Sequence, residues 1–413
     1  MKAEIITIGD ELLIGQTIDT NSAWIGAELS RLGFEVTQIT SIPDRRERIL
    51  KMLNEVTGRC DVVLITGGLG PTSDDITKQT LCEFFNTTLI TNQEVLGMIE
   101  LMFQRRNLPM NENNRRQADV PASCRVLFNA TGTAPGMWFE KGGTIFISMP
   151  GVPLEMKYIM KEHVLPELGK RFRSRIILHK NIMTYGTYEA KLAELLEVFE
   201  SQLPSNIKLA YLPSLGIIKL RLTASGNNQN ELSRQINEQV QKLYKTIPQY
   251  IYGEDEETME MAVGRILKEK KLTVCTAESC TGGMIAHLIT SVPGSSAYYK
   301  GSVIAYDNSV KTDILKVKKS TLNKYGAVSR EVVEEMAQGA LYIMNCNIAV
   351  ATTGIAGPDG GSPAKPVGTL WIAVASANGI KSEKYQFIHD RETNIKHFST
   401  AALNMLRLAA VSE

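Results

Sequence analysis

Three times in this chain a short, strongly apolar run stops at a glycine-bearing turn. Asp61–Thr66 (DVVLIT) runs into Gly67, Gly68 and Gly70, Leu272–Cys275 leads to AESCTGG (277–283), and Ala349–Thr353 opens onto GIAGPDGG (354–361). Apolar runs of about four to eight residues bounded by turn signals read as strands buried on both faces. Between such runs, apolar positions recur at helical spacing, as in Asn21–Leu32, Asp44–Val56 and Arg330–Met344. This alternation predicts an α/β chain whose mostly parallel sheets are covered on both sides, with sites at the carboxyl ends of strands.

The first region reads as strands Lys2–Ile8, Glu35–Ile42 and Asp61–Thr66, with Met137–Phe139 and Thr144–Met149 around the Lys141–Gly143 turn. Helices are expected at Asn21–Leu32, opened by Thr20 or Asn21 and closed by Gly33, and at Asp44–Val56, Ile76–Phe85 and Glu94–Arg106. Pro150–Pro153 ends this region before a helix, Leu154–Leu168. A small α+β module follows: strand Ile176–Thr184, helix Tyr188–Phe199, two strands joined by Pro213–Gly216, and helix Gln229–Tyr244. Gly253–Glu257 reads as an acidic connector. Beyond it come helix Met259–Lys270, strand Leu272–Cys275, a helix from Gly282 and the long helix Arg330–Met344. Strands Ala349–Thr353, Thr369–Ala375 and Lys384–Ile388 precede a terminal helix, Thr393–Ala410. The expected organisation is two α/β domains, 1–170 and 254–413, separated by the module over 171–253.

With 43% apolar and 22% charged residues among 413, the chain can bury a core, which excludes wholesale disorder. Lys+Arg 45 against Asp+Glu 44 leaves no basic field to concentrate nucleic acid, so direct nucleic-acid contact is not expected. No apolar stretch approaches the ~18–20 residues that span a bilayer, and the run at Ile5–Ile8 reads as a first strand, not a targeting peptide. The six cysteines (60, 82, 124, 275, 280, 346) form no CxxC pair, which fits reduced thiols in a cytoplasmic protein. Five histidines without metal-ligand spacing make a His/Cys zinc site a poor expectation.

At the first glycine turn, Gly67, Gly68 and Gly70 let backbone approach a ligand, and N–H groups near a helix start favour phosphate. Asp74 and Asp75, with Thr72 beside them, would repel phosphate unless a divalent cation bridges them to it. The plain alternative is a tight turn with Asp capping the helix. At the second turn, Ser279 sits where helix N–H groups at Cys280 to Gly283 can hold an oxyanion, or it is simply the helix cap. His287 lies eight residues on, in a buried helix pattern, and gives it no base. Lys311, in Tyr306–Lys311 (YDNSVK), can be a base if burial lowers its pKa; alternatively it is a solvated helix residue like Lys316, Lys318 and Lys319. The third turn, with Gly354 and Gly357, binds phosphate, shapes a pocket, or is an ordinary surface loop.

AESCTGG (277–283), AYDNSVK (305–311), GAVS (326–329), TGIAGPDGG (353–361) and KPVGT (365–369) together resemble the carboxyl-terminal domain of the CinA family. GGLGPTSDD (67–75) and TIGDELLIGQTIDTNS (7–22) resemble the CinA-type version of the molybdopterin-binding (MoaB/MogA-like) fold, and the middle module resembles a KH-type fold lacking a GxxG loop. The resemblance covers essentially the whole chain. It implies nicotinamide mononucleotide (NMN) deamidation by a Ser/Lys mechanism, with Ser279 as nucleophile, Lys311 as base, and Tyr306, Thr353 and Arg391 completing the site. Thr281, Gly282, Gly283, Gly354 and Gly357 would line the substrate, and no cofactor would be needed. His389 stands where the family more usually has glycine in Gly-Asp-Arg.

For the amino-terminal domain the resemblance implies ADP-ribose hydrolysis to AMP and ribose 5-phosphate with a divalent metal. Asp75 and Asp10 would lie at the metal, and Gly67, Gly68, Gly70, Thr72 and Asp74 around the nucleotide. The expected partners are these small nucleotides and a second copy of the chain. Two readings from other classes stand beside it: a molybdopterin-binding or adenylylation module, and an interaction protein linked to competence or DNA damage.

Overall fold

The computed structural model describes residues 1–70, 72, 75–172, 176–214 and 216–413. Its contacts divide the chain into two compact units, Met1–His179 with Ala224–Arg234, and Lys180–Thr223 with Gln235–Glu413.

Strands β1 (Lys2–Ile8), β2 (Glu35–Ile42), β3 (Val62–Thr66), β6 (Arg125–Leu127), β7 (Gly136–Lys141) and β8 (Thr144–Met149) form a sheet of order β2-β1-β3-β8-β7-β6. Its first four strands are parallel, and β7 and β6 are added at one side through antiparallel pairings. Two further strands, β4 (Leu89–Thr91) and β5 (Asp119–Pro121), make a small antiparallel ribbon. Strands of three residues are too short to show alternation, and β4, β5 and β6 were not legible in the sequence.

Both faces of the large sheet are buried, as its continuous apolar runs require. Ile5, Leu64 and Ile147 lie in register across three strands and pack under helices Thr20–Arg31 and Pro153–Ile159. Ile6, Val63, Ile65 and Phe146 face the other way, onto helices Arg46–Val56 and Thr77–Phe84. Each such side chain is worth about 1.5–3 kcal/mol when fully buried. Helix Thr20–Arg31 is capped by Asp19, which accepts from the Ser22 amide, and not by Thr20 or Asn21. The helix expected over Leu154–Leu168 runs as Pro153–Ile159, a π turn at Met160–Val164, and Leu165–Arg171. Pro166 lacks the N–H that a regular turn would use there, and the wider turn absorbs the mismatch.

A four-stranded sheet of order β10-β11-β9-β12 follows, from β9 (Ile176–Tyr185), β10 (Ile207–Ser214), β11 (Ile217–Gly226) and β12 (Ile251–Glu254), with helices Glu189–Ser201 and Gln229–Thr246. Gly253 and Glu254, read as connector, instead end β12, which pairs antiparallel with β9. The chain turns only at Asp255, whose φ is 54°.

The last sheet has order β14-β13-β15-β16-β17, built from β13 (Val274–Glu278), β14 (Tyr299–Ile304), β15 (Ile348–Gly354), β16 (Thr369–Ser376) and β17 (Gly379–Gln386). The first three are parallel, and β16 and β17 follow through antiparallel pairings. β17 starts five residues before the expected Lys384, because its exposed polar residues hide the pairing with β16. One face (Val274, Ile348, Val350, Leu370, Ile372) packs on helices Met259–Glu269 and Arg391–Ser412. The other is lined by Ala277, Ala349, Ala351, Ala373 and Ala375 and takes helix Arg330–Met344 through Val332, Val333, Met336, Ala337 and Ala340. Alanine on both sides brings that helix close to the sheet, and a Cβ at Gly339 would collide with the Leu315 carbonyl. Among the described residues, no helix is long and apolar enough to cross a membrane.

Candidate functional site

The carboxyl ends of β13, β14 and β15 open onto one cavity of about 200 Å³. Ser279 follows β13 directly, Tyr306 follows β14 by one residue, and Thr353 and Gly354 end β15. Lys311 comes from the short helix Asn308–Asp313, capped by Asp307, and Arg391 begins the terminal helix, capped by Asp390. All six residues line the cavity, with Ala327 and Val328 of GAVS and Ala356.

Lys311 is only 1% exposed, which overturns the solvated-helix reading. Its Nζ donates to the carbonyls of Ala305 (2.7 Å) and Tyr306 (3.0 Å), and no carboxylate pairs with it among the described residues. Burial pushes the amine below the ordinary lysine pKa, against a smaller opposing pull from Asp307. Two carbonyls accept two of the nitrogen's N–H groups, so its third position, proton or lone pair, is left for the cavity that Lys311 lines. Ser279 and Lys311 share the cavity without a hydrogen bond between them. Such bonds are often long before substrate binds.

Ser279 is not a helix cap. The helix begins at Met284 with Gly283, in left-handed conformation, as its cap. The free N–H groups go to Glu278, a residue the sequence reading passed over. Its carboxylate is 0% exposed and accepts from the amides of Gly283 (3.0 Å), Ile285 (3.1 Å) and Ala286 (2.8 Å). A buried anion without a cation is held here by the positive end of a helix. The signal was available: an acidic residue immediately before a glycine-bearing helix start. The Gly282 amide donates to the Ser279 carbonyl and the Gly283 amide to Glu278, so of the expected oxyanion donors from Cys280 to Gly283 the one that remains at the cavity is the amide of Cys280. Thr281, Gly282 and Gly283 do not line the cavity; the Thr281 hydroxyl is buried against that of Thr352 (2.8 Å).

Thr353 donates to the Ala327 carbonyl (2.8 Å), and Ser329 caps helix Arg330–Met344, so GAVS forms a fixed wall. Arg391 donates to the Gly357 carbonyl (2.7 Å) and to the Tyr306 hydroxyl (3.1 Å). Gly357 therefore aims the guanidinium and does not line the cavity itself. Glycine is not needed at 389. His389 has no left-handed φ, its ring stacks on His397 with centroids 4.8 Å apart, and Arg391 still reaches the site. His287, expected to be buried, is exposed.

In the amino-terminal unit, Gly67 (φ 116°) and Gly68 (φ 65°) are required. A Cβ would strike the Ile8 carbonyl at the first and the Thr77 hydroxyl at the second. Asp75 turns back to accept from the Thr72 amide (3.0 Å) and hydroxyl and does not cap helix Thr77–Phe84, which has no side-chain cap. Asp74 lies outside the described residues. Asp10 is exposed at the start of the short helix Asp10–Leu13. Among the described residues no group of three or more His, Cys, Asp or Glu is placed to hold a metal, so Asp10 and Asp75 do not by themselves fit one.

A cavity of about 100 Å³ instead lies beside the carboxyl ends of β1 and β3, lined by Thr7, Glu11, Asp19, Asn21, Thr66 and Gly151 among others. Asn21 Nδ2 donates to the Gly151 carbonyl (2.7 Å) and the Thr66 hydroxyl (3.2 Å), while its buried Oδ1 has no partner. β2 and β3 flank β1 on opposite sides, so this crevice is a topological switch point. Gly67, Gly68, Gly70 and Thr72 do not line it.

Residues 4–170 match the family described as "Probable molybdopterin binding domain", 179–253 "Damage-inducible protein CinA KH domain", and 256–410 "CinA C-terminal domain". The α/β domains separated by a KH module are thus shared with known families. A "CinA-like protein" of Cytophaga hutchinsonii is 50% identical over 98% of this chain and 97% of its own. One of Flavobacterium psychrophilum is 49% identical over 98% of each. Among solved structures, the competence/damage inducible protein CihA from Agrobacterium tumefaciens is 41% identical, covering 38% of this chain and 96% of that one, with a TM-score of 0.35. Identity of about half over 98% of the chain, with the three domain families matched in order, shows that the chain belongs to the CinA family.

Proposed function

We propose that the carboxyl-terminal domain hydrolyses the carboxamide of NMN, giving nicotinic acid mononucleotide and ammonia. The observation that carries this reading is Lys311, a buried amine held by two carbonyls in the cavity that Ser279 lines. In this reading Lys311 takes the Ser279 proton as the hydroxyl attacks the amide carbon. The amide of Cys280, which lines the cavity, receives the oxyanion, and the proton passes to the departing ammonia. Water then attacks the acyl-enzyme, with Lys311 again as base. The pyridinium of NMN is a fixed cation, which disfavours protonation of Lys311 and keeps the base neutral. Tyr306, oriented by Arg391, lines the site beside the substrate; the phosphate of NMN suits the Arg391 guanidinium.

For the amino-terminal domain we propose a nucleotide ligand at the Asn21–Thr66 crevice, with ADP-ribose as the substrate to test. The unpartnered Asn21 Oδ1 supports a ligand donor there. No step through a metal is drawn, because the described residues do not assemble a metal site.

Chromatography of the full chain incubated with NMN, NAD and ADP-ribose tests both readings. The deamidase reading expects nicotinic acid mononucleotide and ammonia from NMN, unaffected by EDTA. NMN recovered intact from folded protein would overturn it.

A further inference from the structure

Cys275 and Cys346 lie with sulfurs 3.2 Å apart, the Cys346 thiol directed at the Cys275 sulfur. Cys275 is on β13 and wholly buried, whereas Cys346 precedes β15 and is half-buried. Neither takes part in the chemistry proposed above. We propose that Cys275 and Cys346 form an oxidisable dithiol that a peroxide converts into a disulfide, tying β13 to β15 within the carboxyl-terminal domain.

Geometry gives the order of events. The accessible sulfur reacts first: the Cys346 thiolate attacks hydrogen peroxide, the O–O bond breaks, and sulfenic acid forms with release of hydroxide. Cys275, out of reach of the oxidant, then attacks the Cys346 sulfur. The S–O bond breaks, the hydroxyl leaves as water with the Cys275 proton, and the S–S bond forms. Two thiols lose two electrons in all, and one peroxide becomes two waters. The sulfurs need to close by a little over 1 Å to reach the ~2 Å of a disulfide. A rotation at Cys346, which precedes the strand, supplies this without moving β13.

Other thiols compete poorly. Cys60, Cys82 and Cys280 are buried, burial pushes the Cys60 thiol up to about 11, and the Cys124 and Cys280 thiols go up to about 12. Cys346 moves the other way, lowered chiefly by its contact with Cys275.

The loop this bond would close contains Ser279, Tyr306 and Lys311, while the bond itself joins the strands at the end opposite the cavity. Cross-linking therefore stabilises the site's scaffold without entering the site.

The test is hydrogen peroxide titration of the full chain, read by intact mass and by peptide mapping without reduction. The expected result is a loss of 2 Da, a linked pair of peptides carrying Cys275 and Cys346, a raised melting temperature, and reversal by dithiothreitol. Cys346→Ser, a change at a half-buried position, should remove the link and the melting shift together. Gain of 32 Da at Cys346 with no link, a link between other cysteines, or unaltered thiols at excess peroxide would each overturn the proposal.

Discussion

Replacing Lys311 by methionine tests the base directly, and the structure shows why methionine serves better than arginine. The site is closed, with 1% of the side chain exposed, so a longer guanidinium would cost about 1–3 kcal/mol in overpacking, besides being unable to release a proton. Methionine fills nearly the same volume. It orphans the Ala305 carbonyl, at about 1–3 kcal/mol, while the Tyr306 carbonyl sits in a residue 62% exposed and can turn to water. Against this, methionine removes a buried amine whose charged form the fold penalises. The two effects offset, and denaturant unfolding of Lys311→Met should fall within about 2 kcal/mol of wild type.

NMN turnover should fall much further, by about 10²–10⁴ for loss of a general base. The pH dependence has a definite sign. Because burial lowers the folded-state pKa, wild-type deamidation rises with pH and levels off below the ordinary lysine value of 10.5; the residual rate of Lys311→Met lacks this rise. The stability penalty on the charged amine is complete below the folded pKa and is relieved as pH climbs toward 10.5, so wild type gains on Lys311→Met across that window. Folded Lys311→Met that retains more than about a tenth of wild-type turnover would refute a lysine base.

Ser279→Ala removes no helix cap, so it should shift stability by less than about 0.5 kcal/mol while deamidation drops by several orders of magnitude; the Ser279→Ala/Lys311→Met double variant, assayed with NMN, should be scarcely worse. Glu278→Ala strands three amides, one buried and two part-buried, and its unfolding free energy should drop by about 2–4 kcal/mol; a change under about 1 kcal/mol would contradict the helix-anchoring role. Asp75→Asn keeps an oxygen to accept from Thr72 but removes the charge. Because Asp75 does not line the Asn21–Thr66 crevice, ADP-ribose turnover and NMN deamidation should both be retained; loss of ADP-ribose cleavage would draw the Asp75 charge into that reaction.

What the sequence made legible is what periodicity and turn chemistry encode locally. The runs at Lys2–Ile8, Asp61–Thr66 and Ala349–Thr353 are continuous apolar stretches because both faces are covered, and all three became central strands. Ser279, Lys311, Tyr306, Thr353 and Arg391 were nameable one by one from their motifs. Their convergence was implied by the resemblance and not by periodicity, since they come from five separated elements: the ends of β13, β14 and β15, helix Asn308–Asp313 and the terminal helix. Burial of Lys311 was equally hidden, because YDNSVK reads as a polar helix start until the Ala305 and Tyr306 carbonyls are seen around the amine. Glu278 was passed over for a related reason, although the glycine-bearing helix start beside it was a signal. Acidic residues on strands are usually solvated, and only the helix N-terminus in front of it makes burial tolerable.

The alanine face of the last sheet has a consequence at a distance. Helix Arg330–Met344 starts from Ser329, and the residues just before it, Ala327 and Val328, are a wall of the cavity. The thickness of the contact between this helix and Ala349, Ala351 and Ala373 thus acts as a shim that sets how wide the cavity stands. A single added methyl or two on β15, well away from every reacting atom, would wedge the helix outward and retune the aperture. Selection on substrate size in this domain can act through the smallest side chains of its core, leaving Ser279 and Lys311 untouched.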